Sequence, residues 1–252
     1  MGGSGFAVAR GTAAPILALA ARAVAAVASG GRSADEARSA DPAGDLGGGT
    51  GTGPDGAGTD AAAAALQPAV RAVTLGTLRW YPRLAALVAA LAGGRPLSPQ
   101  LSALLAVALH QLEYSQHPAE ITVSCAVDAV RLLRQPRAAG LVNALLRRFV
   151  RERAALLAAL LGDPVAASAH PAWLLAALQE AWPADWEQIV AANNSQAPLT
   201  LRVDLSRCSL ENYCAQLSAC GLTAAALPWS PTALVLSQPV AVRRLPGFAD
   251  GL

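Results

Sequence analysis

The chain has 252 residues, 54% of them hydrophobic and only 4% aromatic, with nineteen arginines, no lysine and a formal net charge of +2. One large domain or two ordinary ones fit that length, and the core must be built mainly from Leu, Val and Ala. The four cysteines form no C-x-x-C pair and lie far from the three histidines, which argues against a zinc site and for reduced thiols in a cytoplasm.

The charge is unevenly spread. Residues 61–161 carry eleven arginines and four acids, +7, whereas residues 1–60 stand at −2 and residues 162–252 at −3. A localised positive segment in a nearly neutral chain is the usual footprint of nucleic-acid binding.

Residues 1–11 read as a disordered tail. Its start, Met1 to Phe6, lacks the Ser or Thr that a myristoylation signal needs at position 6. Residues 12–28 predict a first helix, with Ile16, Leu17, Leu19, Ala20, Val24 and Val27 on an apolar stripe. The apolar run Ala13 to Ala28 contains Arg22 and is too short for a membrane span. Residues 30–60 are low in complexity and read as a disordered insertion. Its Gly47 to Gly53 stretch follows no strand and lacks the Gly-Lys-Ser/Thr ending of a phosphate-binding loop.

Residues 60–80 predict a second helix, with Pro68 moving its start towards Gln67. Arg83 to Leu91 predicts a third, closed by Gly93-Gly94. Ser98 caps a fourth, Pro99 to Tyr114. Pro118 or Ala119 to Leu133 predicts a fifth. Arg137 to Leu161 predicts a sixth, long and basic on one side. Residues 12–161 thus form an all-helical domain with no strand signal.

Residues 162–195 read as a short helical connector, opened by His170-Pro-Ala-Trp173 and Pro183-Ala-Asp-Trp186, with Trp173, Trp182 and Trp186 in its core. After Pro198 the period changes. Leu199 to Val203 predicts a strand. Ser209 caps a helix to Cys220 that Gly221 terminates, and Ala224 to Leu227 and Ala233 to Leu236 predict two more strands. Residues 196–252 therefore begin an α+β unit.

Three segments carry a family resemblance: Leu75-Gly-Thr-Leu-Arg79-Trp80, Ala108-Leu-His-Gln-Leu-Glu-Tyr114 and Gly140-Leu-Val-Asn143-Ala-Leu-Leu-Arg147. They resemble the NusB-like helical domain of the RsmB (Sun or Fmu) family, bacterial small-subunit rRNA cytosine-C5 methyltransferases. His170-Pro-Ala-Trp-Leu, Ala192-Asn-Asn with Pro198, Leu201-Arg-Val203 and Leu245-Pro-Gly-Phe-Ala-Asp-Gly251 resemble the methyltransferase and not NusB itself. The resemblance implies a mainly α fold: a NusB-like bundle followed by a small ferredoxin- or RRM-like α+β part. It also implies 16S rRNA as partner, S-adenosylmethionine as the cofactor of the whole family, and no membrane. In the family a thiolate adds to C6 of the cytosine so that C5 takes the methyl group. The residues that do so belong to a Rossmann-like domain that no part of this sequence resembles. The four cysteines match none of the family's catalytic positions, so the chain is expected to be a fragment with no catalytic residue and no cofactor site. A missing or separate catalytic domain is expected to pack on residues 196–252.

Arg131, Arg134, Arg137, Arg147, Arg148 and Arg151 are the candidates for RNA phosphate contact, with Arg147, Arg148 and Arg151 forming a contiguous ridge. The bland alternative is a solvated face with ion pairs such as Glu152 to Arg148. Arg79 is a seventh candidate, set against a role in ordering helix-end carbonyls. Asn143 is expected to bond to an adjacent helix, and His110 with Tyr114 to form a packed polar pair. Arg202 reaches RNA or braces the missing domain. Two other functions remain open at this point. One is a NusB-like antitermination module; the other is a non-functional remnant whose Leu234 and Leu236 lie exposed.

Overall fold

The computed structural model describes residues 10–39 and 56–251. Its contacts cluster into two units, Met1–Val190 and Ala191–Leu252. The disordered tail expected over 1–11 and most of the 30–60 insertion lie largely outside the described residues.

The first unit is helical: α1 (Arg10–Gly30), α2 (Ala34–Ser39), α3 (Gly56–Arg79), α4 (Tyr81–Ala92), α5 (Pro99–Tyr114), α6 (Ala119–Leu132), α7 (Ala139–Ala159), α8 (Pro164–Ser168), α9 (Ala172–Ala181) and most of α10 (Trp186–Asn194). Helix α1 packs on α3, α5 and α6. Its Ala18, Ala20, Ala21 and Val24 are sealed from solvent, because small side chains let the neighbouring helices approach closely. By length and composition Thr12–Gly30 is long enough to cross a membrane, which corrects the expectation that it is too short. Its packing makes it the central helix of the bundle core. Leu84, Leu87, Leu104, Leu105, Val107, Leu109, Val130, Leu146 and Phe149 complete that core.

Two local outcomes differ from the sequence reading. Part of the 30–60 insertion is helical: Ser33 and Glu36 cap α2 reciprocally, with Glu36 N donating to Ser33 Oγ at 3.2 Å and Ser33 N to Glu36 Oε2 at 3.0 Å. Helix α3 starts at Gly56 and runs through Pro68, as the alanines at 61–65 favour helix strongly. Elsewhere the local signals act as read. Ser98 Oγ accepts from Leu101 N at the start of α5, and Gly93 ends α4 in the left-handed region at φ 59°.

The connector helices α9 and α10 bury Leu175, Leu178 and Val190, with Trp186 against them. Trp173 is 72% exposed and Trp182 53% exposed, so neither belongs to that small core as expected. Two short helices bury one apolar stripe each and have no room for three indoles. His170 is buried, its Nδ1 2.7 Å from the Ser168 carbonyl.

The second unit holds β1 (Thr200–Arg202), α11 (Leu210–Ala219), β2 (Ala224–Ala226) and β3 (Ala233–Leu236) in an antiparallel sheet of order β1-β3-β2. Leu201 pairs with Leu234, and Arg202 with Ala233. Alternation puts Leu234 and Leu236 on the face that packs with Tyr213 and Leu217 of α11, together with Val203 and Leu245. Leu234 and Leu236 are thus buried, not exposed as the remnant reading requires.

Candidate nucleic-acid interface

The amphipathic pattern of α7 decides which arginines face out. Val142, Leu145, Leu146 and Phe149 are buried, so Gly140, Ala144, Arg147, Arg151 and Ala154, at steps of three and four, form the opposite, exposed face. Arg147 and Arg151 stand one turn apart on it. Arg147 Nε donates to Asn143 Oδ1 at 3.0 Å, so Asn143 braces an arginine of its own helix instead of bonding to an adjacent one. Arg151 has Glu152 3.9 Å away, a weak exposed pair.

Arg148 leaves the ridge. It is half-buried, donates from Nε to Glu152 Oε2 at 2.8 Å and reaches the Leu91 carbonyl at the end of α4. Arg153 turns the other way and donates to Glu113 Oε2 of α5 at 2.8 Å. The expected contiguous ridge of Arg147, Arg148 and Arg151 is therefore a pair, because 100° of helical rotation carries Arg148 onto the flank that meets α4.

Arg131, Arg134 and Arg137 gather at the turn between α6 and α7, all exposed. Arg131 ion-pairs with Asp128 at 2.6 Å. Arg134 is left-handed at φ 58°. Its N–H donates to the Arg131 carbonyl while Gln135 N donates to Val130 O, the paired bonds of a Schellman helix end. Arg137 has no hydrogen bond or ion pair among the described residues. Ten residues of helix separate Arg137 from Arg147, about 15 Å. Five of the six candidates thus fall into two cationic groups, Arg131 with Arg134 and Arg137, and Arg147 with Arg151, while Arg148 stands apart. Arg79 ends α3, exposed and likewise without a partner among the described residues, so it orders no helix-end carbonyl.

A second cluster sits where α3 meets α4 and α5. Trp80 and Tyr114 stack at 4.7 Å with 16° between their planes. The Arg83 guanidinium lies 5.6 Å from the Trp80 ring centre, and Nη1 donates to Tyr114 Oη at 3.3 Å. Its Nε is buried with no hydrogen-bond partner. His110 packs at 5.3 Å from Tyr114, and burial lowers its pKa to about 4, so it is neutral at physiological pH. The expected His110–Tyr114 pair is there; Arg83 was not among the sequence candidates. The signal was available: Trp80 and Arg83 are three apart, spacing at which a guanidinium reaches a ring.

Residues 19–151 match the NusB family. The chain belongs to that family. Beyond this NusB-family part, residues 170–243 match the ferredoxin-like domain of RsmF/B-like methyltransferases. Curated relatives named ribosomal RNA small subunit methyltransferase B include one from Pseudomonas syringae pv. tomato, 44% identical over 181 residues, 71% of this chain and 40% of that protein. Another, from Vibrio cholerae, is 37% identical over 71% of this chain and 42% of its own length. The chain spans about two-fifths of the length of these relatives. A crystal structure of PH0851 superposes with a TM-score of 0.55 at 14% identity, covering 93% of this chain and 51% of that one, which shows a shared fold. The match over 170–243 separates this chain from a NusB-type antitermination protein, which the NusB-like helices alone would not.

S-adenosylmethionine, the cofactor implied by the resemblance, does not fit the described residues. Doubly wound sheets bind such ligands at the carboxyl ends of parallel strands beside a glycine-rich turn. The sheet here is antiparallel with strands of three or four residues. Gly93 and Gly221, both left-handed, close helices rather than cradle a ligand. A shallow cavity of about 250 Å³ beside α4 is lined by alanines, Tyr81, Val88 and Leu97, with Arg95 its one charged residue and no carboxylate for a ribose.

Proposed function

We propose that this chain is the RNA-gripping portion of an S-adenosylmethionine-dependent 16S rRNA cytosine-C5 methyltransferase. The methyl-transfer residues belong to the part of the relatives that this chain does not span. The observation that carries the reading is the outward pair Arg147 and Arg151 on α7, with Arg131, Arg134 and Arg137 exposed at the turn between α6 and α7. Two cationic groups about 15 Å apart suit phosphates a few nucleotides apart on a folded RNA. The four free cysteines agree with a reducing, cytoplasmic setting. Leu205, Trp229, Val242 and Phe248 are exposed in the second unit and offer apolar surface for the catalytic part to cover.

The test is fluorescence anisotropy with a 16S rRNA hairpin across a salt series. Binding should weaken as salt rises. The double variant Arg147→Gln, Arg151→Gln should flatten the log–log slope by about 1.5 to 2 at unchanged thermal stability. Absent or salt-independent binding by the wild-type chain would overturn the reading.

A further inference from the structure

We infer that Arg79, Trp80, Arg83 and Tyr114 form a second RNA contact that takes one unpaired base on the Tyr114 ring and its phosphate between Arg79 and Arg83. It rests on the RNA-binding reading above and deepens it, since α7 contacts backbone alone whereas this corner selects unpaired nucleotides.

Arg83 is the anomaly that points there. It is a half-buried cation with no acidic partner among the described residues, and its Nε is cut off from water without an acceptor. Leaving such a donor unmatched opposes folding. An anion at the accessible part of the guanidinium, which has no carboxylate partner among the described residues, would offset its charge. The nearest acid in sequence to Tyr114, Glu113, is already held by Arg153 at 2.8 Å and so repels an incoming phosphate less. Arg79 adds an exposed cation with no partner among the described residues, one residue before Trp80.

The aromatic half is preorganised. Trp80 braces Tyr114 by stacking, and the Tyr114 hydroxyl is fixed by Arg83. His110 packs on the same ring and is itself seated against Gly76, where no side chain intervenes. Tyr114 keeps 37% of its surface exposed. An immobilised, partly open aromatic ring beside guanidinium groups is the composition that stacks bases of single strands and loops. Paired bases, already stacked in a helix, do not reach it.

The experiment compares two fluorescein-labelled RNAs on the full chain: a hairpin with unpaired loop adenosines and a blunt duplex of the same stem. Tyr114→Leu should weaken hairpin binding about tenfold and leave duplex binding unchanged, with Tyr114→Phe retaining most of it. Arg83→Gln should weaken the hairpin about tenfold yet leave the thermal midpoint of the free protein equal or higher, because it removes a poorly satisfied cation. A purely structural Arg83 would instead lower that midpoint and spare affinity, which overturns the inference. Arg79→Gln, at an exposed position that does not threaten folding, should cost about threefold to fivefold. Wild-type hairpin affinity in Arg79→Gln and Arg83→Gln sinks the inference even if Tyr114→Leu fails to fold. If the Arg147, Arg151 double variant loses affinity while these do not, only the corner is wrong. If the wild-type chain binds neither RNA, the RNA reading and the corner fall together.

Discussion

The imidazole of His110 lies against the bare backbone of Gly76: a Cβ there would sit 2.7 Å from both Cε1 and Nε2. This contact lets α3 and α5 approach closely and sets the tilt of His110 under Tyr114. Gly76→Ala should destabilise the protein by about 1–2 kcal/mol, the overpacking cost outweighing the roughly 1 kcal/mol gained in helix propensity. Adding His110→Ala should recover most of the loss in a double-mutant cycle read by urea unfolding. Additive losses would mean the two residues do not touch.

Burial of His110 also sets an acid limit on stability. Its folded pKa is about 4 against an ordinary 6.5, so the unfolded chain binds the proton more readily. The contribution is full above pH 6.5 and is lost as pH falls towards 4, by up to about 3 kcal/mol. Gln111 Nε2, an amide donor, lies 3.1 Å from Nδ1, which therefore accepts as a neutral imidazole. His110→Gln should flatten the decline of thermal midpoint between pH 6.5 and 4. An unchanged slope would assign that decline to other groups.

Arg134 occupies the left-handed position that glycine usually fills at a Schellman end; Gly221 fills the equivalent place after α11. A non-glycine residue there costs about 1 kcal/mol or more. Arg134→Gly should therefore raise stability by about 1 kcal/mol while weakening RNA binding at low salt. Calorimetry and anisotropy on the same variant check both halves. Unchanged RNA affinity would leave the arginine as a helix-end charge only.

Tyr213 Oη donates to the Pro246 carbonyl at 3.0 Å and ties α11 to the Leu245-Pro-Gly-Phe248 segment. Tyr213→Phe leaves that carbonyl without its partner and should cost about 1 kcal/mol. Trypsin should then cut faster at Arg243 and Arg244, which precede the tether and are exposed. Equal cleavage rates would show that apolar packing of Leu245 holds the segment unaided.

Much of this protein is written locally. Ser98, Ser209, Gly93 and Gly221 mark helix ends by side-chain acceptors or left-handed turns that a few neighbouring residues complete, so α5 and α11 lie where their sequence places them. The period change after Pro198 announces the sheet for the same reason, and the basic excess between residues 61 and 161 is a matter of counting. Which arginines present their charge is a different kind of fact. Arg148 and Arg153 differ from Arg147 and Arg151 only in helical phase, and that phase acquires meaning once α4 and α5 supply Leu91 and Glu113 as partners. Likewise Trp173 and Trp182 look like core residues until two short helices prove too small to cover them. The Arg83 corner joins residues thirty-one positions apart, and no periodicity links them. Caps and periods act within one turn of chain, whereas exposure and ion pairing depend on which surfaces meet; that is why the bundle is legible in the sequence and the outward-facing charges emerge only with tertiary packing.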